Sequence, residues 1–374
     1  GAAALRKNSM DHPSPKAGLI RDHTRHPQVI RGNASNMTEN SEVVLMTRKR
    51  RVVGVTVGDP AGIGPEVVLA AFRHPSLFER TLPVTIGTAS LLSRCAAEAG
   101  ITGVDVVEIA GPEEAAGIPG RVEVIDVPVE GVDSIRPGVV QAVGGISSDL
   151  YIREACRLAL AGRIDAISTA PISKESLRAA GIEGIGHTEI LAAYLDSPNP
   201  LTLFITERMR IFFLSRHLSL RRAIDFISEE SVFSFIVRVD SAMRGFGFRR
   251  PSIAVAALNP HSGDGGQFGD EEELFLIPAV RRAQGAGIDA IGPIGADSVF
   301  HQALEGRHDC VISLYHDQGH IAAKTRDFFR TVTATLGLPV LRTSVDPPTV
   351  SAWRRQSSRP ETYSLLACPE SLST

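Results

Sequence analysis

From about residue 50 onward, short apolar runs alternate with amphipathic stretches. Runs at 52–57, 84–86, 104–109, 122–127, 166–169, 201–205, 211–214, 253–257, 310–314 and 340–342 have the length and composition of strands. Between them, 65–72, 90–99, 150–161, 174–180, 188–194 and 270–286 read as helices, with Leu91, Leu92, Cys95 and Ala96 forming one apolar stripe. This alternation predicts an α/β fold whose sheet is covered on both faces. The first 45 residues are rich in Pro, Asn, His, Arg and Ser, lack any such period, and are expected to form a disordered extension. Met46 is the expected natural start. After Asp346, Pro347 and Pro348 break the pattern, and 347–374 reads as an atypical tail.

Composition narrows the function classes. A chain of 374 residues with 43% hydrophobic and 22% charged residues can build two lobes with separate cores. A net charge of -3 and 5% aromatic residues argue against nucleic-acid or membrane partners. No apolar run approaches the ~20 residues that span a bilayer. Cys95, Cys156, Cys310 and Cys368 form no C-x-x-C pair, as expected of reduced thiols in a cytoplasmic protein.

Candidate chemistry gathers at expected strand ends. His217, His261 and His316 each follow the carboxyl end of an apolar run, the edge where open α/β sheets place ligands. Three imidazoles on one edge suit a divalent transition metal with coordination positions left for substrate. A lone His after a strand is more often a loop hydrogen-bonder, so the neighbouring segments matter. The segment 259–266 is a glycine-loaded strand exit that admits close approach of a ligand. Gly186-His187-Thr188-Glu189 opens a helix, with Thr188 the expected N-cap and the amides behind it open to an anion. Gly58 to Glu66 joins the first strand to a helix but is no G-x-G-x-x-G fingerprint, so a nucleotide is not held in the Rossmann manner. Lys174, Lys324 and Arg342 are cations placed to outline a site for a phosphorylated, carboxylated substrate.

Six motifs stand in order: 58–66, Thr169-Ala170-Pro171, Gly186-His187-Thr188-Glu189, Leu258-Asn259-Pro260-His261, Tyr315-His316-Asp317-Gln318-Gly319 and Leu336-Gly337-Leu338-Pro339. As a set, over residues 50–346, they resemble the 4-hydroxythreonine-4-phosphate dehydrogenase family. The resemblance implies an isocitrate-dehydrogenase-like two-lobed α/β/α fold with a central cleft. Residues 46–170 with 330–346 would form one lobe, and 171–329 the other. It also implies a homodimer sharing its metal site across the interface. By position, His217, His261 and His316 match the family's metal ligands, and His187, Thr188, Lys324 and Arg342 match substrate-binding residues. Lys174 and Asp317 are the candidate catalytic groups. The implied cofactors are a divalent metal (zinc, magnesium or cobalt) and NAD or NADP. The implied reaction oxidises a phosphorylated 3-hydroxy acid, 4-phosphohydroxy-threonine, and decarboxylates the 3-keto acid.

Two departures leave alternatives open. Thr333 stands where biosynthetic members of the family hold an Asn, which leaves the exact substrate open and makes relatives acting on threonate or erythronate 4-phosphate credible models. The run Ser344-Val345-Asp346-Pro347-Pro348 leaves the family pattern, which admits an inactive remnant. A metal-dependent hydrolase, with Asp264 or Asp317 activating water, is the reading from another enzyme class.

Overall fold

The computed structural model describes residues 50–182 and 186–345. The expected extension 1–45, the start at Met46 and the tail 347–374 lie outside the described residues. Twelve strands form one sheet: β1 (Arg51–Thr56), β2 (Thr81–Gly87), β3 (Asp105–Ile109), β4 (Arg121–Asp126), β5 (Ala166–Thr169), β6 (Leu201–Thr206), β7 (Met209–Phe213), β8 (Ile253–Ala256), β9 (Ala290–Ile294), β10 (Cys310–Ser313), β11 (Val332–Leu336) and β12 (Leu341–Val345). Their spatial order is β3-β4-β2-β1-β5-β12-β11-β6-β7-β10-β8-β9.

Strand direction changes in the middle of this sheet. The half from β3 to β12 is parallel, as is the half from β7 to β9. Between them β11 runs antiparallel to both β12 and β6, and β6 antiparallel to β7. Strands β7, β10 and β8 therefore end on one edge, while β1, β5 and β12 end on the opposite one.

Helices cover both faces. One core joins residues from Val55 to Leu195 with Val340 around the first half of the sheet. Around the second half, Leu203, Phe212 and Val255 face one core, whereas Phe204, Phe213 and Ala254 face another. Successive residues of one strand are thus buried on opposite sides, which is why these strands read as near-continuous apolar runs. No helix among the described residues is long and apolar enough to cross a membrane.

The pattern underestimated several elements. Strands β9 and β11 and the helix Glu229–Gly245 were not expected, nor was His316–Arg326. The helix expected from 150 begins at Ala142. Its first turns hold Gly144 and Gly145, which weaken a helical reading. Packing requires the second of these, since a Cβ on Gly145 would lie 2.2 Å from the Ser176 carbonyl oxygen.

Candidate active site

Because β7, β10 and β8 are adjacent and parallel, the chain leaves all three at one edge. His217 follows β7, His261 lies in the turn Pro260–Gly263 after β8, and His316 opens the helix His316–Arg326 after β10. The rings of His217 and His316 are 6.1 Å apart, centre to centre. Two imidazoles bound to one divalent ion at ~2.0–2.1 Å and at tetrahedral or octahedral angles would place their ring centres about 4.5–5.3 Å apart, so the pair stands about 1 Å wider than a shared ion would hold it. Asp317 lies 3.1 Å from His316 Nδ1, the carboxylate–histidine pairing that leaves Nε2 to a ligand. Within one chain, the described residues bring no three His, Cys, Asp or Glu side chains together as a metal-binding group.

The loop carrying His261 is strained and firmly tied. His261, Ser262 and Asp264 have φ of 52°, 56° and 45°, the left-handed region that costs a non-glycine residue roughly 1–2 kcal/mol. Buried Glu272 accepts the backbone N–H of Leu258 at 2.9 Å and of Asn259 at 2.8 Å, and the Asn259 amide at 2.8 Å. Gln318 accepts the Leu314 N–H at 2.8 Å and donates to the Ala257 carbonyl at 2.7 Å, joining the ends of β10 and β8.

Arg342 was expected at a strand end. It lies instead inside β12 at the middle of the sheet, 5% exposed. Its Nε and Nη2 donate to Thr169 Oγ1 at 3.2 and 2.8 Å, and its Nη1 to Thr335 Oγ1 at 3.3 Å. Among the described residues no carboxylate bonds to it. Burial pushes the guanidinium down to about 10, with the charge of Glu189 acting the other way. A buried cation held only by hydroxyls is an anion site by its chemistry. Thr333, half-buried on β11 opposite Ser344, lies on the same sheet face as Thr335.

His187 is the first residue of the helix His187–Tyr194. Gly186 stands at the cap with no side-chain bond, so Thr188 lies in the first turn and is not the N-cap. The Nε2 of His187 is buried without a partner. Burial, then the charge of Arg342, push its pKa well below the usual 6.5, against a backbone hydrogen bond at Ala170. A base with a depressed folded pKa takes up its proton first in the unfolded chain. Its contribution to stability is complete above about pH 6.5 and is lost as pH falls below it. Urea unfolding is therefore expected to show a stability loss of up to ~1.4 kcal/mol per pH unit below pH 6.5 from this group. His187→Gln should flatten that slope. An unchanged slope would mean His187 is not buried neutral.

Lys174 and Lys324, the remaining expected cations, both lie on helices. Lys174 opens the helix Lys174–Ala179, capped by Ser173, whose hydroxyl accepts the Ser176 N–H at 3.1 Å. Burial lowers the His217 pKa, as do the charges of Arg216, His316 and Lys174, with Glu189 opposing. Lys324 shares a helix face with His316, its ammonium 5.4 Å from the centre of the Phe328 ring. The Gly58–Glu66 loop has an architectural role: Asp59 N–H donates to the Pro171 carbonyl at 2.9 Å, and Gly58, at φ 75°, leaves no room for a Cβ there.

Sequence reasoning missed two neighbours. His320 stacks on His316 at 3.6 Å, backed by Phe204 and Phe213. The signal was the i, i+4 spacing from His316, obscured by Gly319. That glycine lets the helix lie flat, since its Cβ would meet Phe213 at 2.7 Å. Arg216, beside His217, donates from Nη1 to the Thr202 hydroxyl on β6.

Fold and site define an α/β protein with a buried guanidinium in its central sheet and an imidazole-lined sheet edge. Comparison with known proteins is more specific. The sequence model of the family "Pyridoxal phosphate biosynthetic protein PdxA" matches residues 79–351. The crystal structure of 4-hydroxythreonine-4-phosphate dehydrogenase from Klebsiella pneumoniae superposes with a TM-score of 0.79 at 36% identity, covering 85% of this chain and 98% of that one. A relative from Clostridium botulinum (strain Hall), named "Putative D-threonate 4-phosphate dehydrogenase", is 44% identical over 301 residues, 80% of this chain and 90% of its own. One of the same name from Symbiobacterium thermophilum is 46% identical over 297 residues, 79% of this chain and 88% of its own. The chain belongs to the PdxA family and is a dehydrogenase.

Proposed function

We propose that this dehydrogenase oxidises a four-carbon 3-hydroxy acid phosphorylated at C4, with D-threonate 4-phosphate as its preferred substrate. The carrying observation is Arg342, a buried cation without a carboxylate partner among the described residues, one strand from Thr333 and Thr335. The relatives named for D-threonate 4-phosphate are 44% and 46% identical to this chain, against 36% for the Klebsiella enzyme. Thr333 agrees with that preference. Threonate and 4-hydroxythreonine differ at C2, a hydroxyl in one and an ammonium in the other. A threonine hydroxyl both donates and accepts, which suits a hydroxylated substrate.

Two cofactors complete the reading: a divalent metal (zinc, magnesium or cobalt) on His217, His316 and His261, and NAD or NADP. When bound, they supply Lewis acidity for the C3 oxygen and a hydride acceptor. Asp317 holds the His316 ring, so its work is orientation. This separates it from the water-activating role of the hydrolase alternative. Lys174, beside His217, takes up and returns the substrate proton. Arg342, His187, Thr188 and Lys324 hold the anionic groups and fix C3 for transfer. Loss of two electrons and two protons at C3 gives a 3-keto acid. Decarboxylation of that acid from D-threonate 4-phosphate leaves dihydroxyacetone phosphate. The protein would act as a homodimer in the cytoplasm, in keeping with its free thiols at Cys156 and Cys310.

Reduced-nicotinamide absorbance tests this with metal-supplemented protein, NAD or NADP, and three substrates: D-threonate, D-erythronate and 4-hydroxythreonine 4-phosphates. D-threonate 4-phosphate is expected to give the highest kcat/KM. Preference for 4-hydroxythreonine 4-phosphate would make the enzyme a biosynthetic one. Absence of reduction with all three would remove the proposal.

A further inference from the structure

The central sheet carries a second guanidinium close to the first. Arg216 donates to Thr202 Oγ1, and Arg342 donates to Thr335 Oγ1 at 3.3 Å. Thr202 and Thr335 are direct cross-strand partners of β6 and β11, so their side chains stand on one face with Cβ atoms about 5 Å apart. Two arginines thus approach the same hydroxyl pair from either side. Among the described residues no carboxylate bonds to Arg216 or to Arg342. Arg216 is half-buried and Arg342 buried. Two guanidinium forks bonded to the two hydroxyls of one cross-strand pair, with only neutral partners, leave donors that an oxyanion would satisfy. Arg216 also immediately precedes His217, so an anion held there lies beside the imidazole edge.

We propose that Arg216 is a substrate-binding, specificity-determining residue that forms a two-guanidinium clamp with Arg342 across Thr202 and Thr335. The clamp rests on the substrate reading above, a small acid with two anionic ends. Arg342 takes one end and Arg216 the other, which sets the length of acid accepted. The shared chemistry is an oxyanion, either phosphate or carboxylate, that accepts two parallel N–H bonds from a guanidinium fork.

Two measurements on Arg216→Gln, with Arg216→Lys as its conservative companion, test this. Calorimetric titration with inorganic phosphate reads the anion site without turnover, and about tenfold weaker binding is expected in Arg216→Gln. Steady-state assays with D-threonate 4-phosphate should show KM raised by about 30-fold or more and kcat changed by less than about threefold. Arg216→Lys should recover part of the KM, because charge remains while the fork is lost. Unphosphorylated D-threonate separates the two ends. If Arg216 holds phosphate, its KM is the same in wild type and variant; if Arg216 holds carboxylate, it rises in the variant. Phosphate affinity and KM both unchanged in Arg216→Gln would overturn the proposal. Weakened phosphate binding in a protein that oxidises none of the phosphorylated acids would keep the clamp and discard the substrate reading.

Discussion

Arg342→Met is expected to be at least as stable as the wild type while losing about 100-fold or more in kcat/KM. The stability half follows from the guanidinium's surroundings. The drop in its pKa from the ordinary arginine value to about 10 corresponds to roughly 3 kcal/mol of folding free energy set against the charged form. The sign is that of a base with a depressed folded pKa. The cost is fully present below about pH 10 and fades as pH rises above it toward the ordinary arginine value. Methionine fills similar volume without charge. Against this stand the Thr169 and Thr335 hydroxyls, which lose their donor at ~1 kcal/mol each. The balance lies between neutral and ~2 kcal/mol in favour of the variant. The activity half follows from the lost charge-assisted bonds to substrate, at ~1.5–3 kcal/mol each. Urea unfolding and steady-state kinetics on the same preparation decide it. A variant destabilised by more than ~2 kcal/mol would make Arg342 a structural cation, because the hydroxyl losses alone account for no more than that.

The contrast between Arg342 and His217 shows what the sequence discloses and what it conceals. His217, His261 and His316 could be placed on one edge because each follows an apolar run, and β7, β8 and β10 are parallel neighbours. No pattern along the chain could say that the sheet reverses direction at β6 and β7. Nor could it say that antiparallel β11 sets Thr335 directly opposite Arg342, while parallel β5 brings Thr169 within reach of the same guanidinium. Strand β11 was missed because Val332-Thr333-Ala334-Thr335-Leu336 alternates apolar and hydroxyl residues, a valid strand pattern that differs from the continuous apolar runs of its neighbours. The helix Glu229–Gly245 was legible in principle, with Val232, Phe235, Ile236, Val239 and Met243 on one face behind a Ser228–Ser231 capping box. Its β-branched and aromatic content masked that spacing. Elements that depart from the plainest apolar pattern were thus the hardest to read.

Mixing two inactive variants is expected to restore activity if the metal site is shared between subunits. His217 and His316 stand 6.1 Å apart in one chain, yet the described residues of that chain assemble no three-ligand group. The proposed homodimer supplies the missing imidazole, His261 of a second copy. His261→Ala and His316→Ala should then each lose bound metal in elemental analysis and at least ~1,000-fold in kcat. Unfolding an equal mixture and refolding it with metal should give dimers in a 1:2:1 ratio, so about half combine the two variants. In each mixed dimer one site receives intact His217 and His316 from the His261→Ala chain and an intact His261 from the His316→Ala chain. The other site lacks both altered ligands. The refolded mixture should therefore reach about a quarter of wild-type activity, at least ~250-fold above either variant alone. A His217→Ala and His316→Ala mixture serves as the control. Both ligands come from one chain there, so each site keeps one defect and no activity should return. No recovery in the first mixture would place all three ligands in one chain, and recovery in the control would place His217 and His316 in different chains.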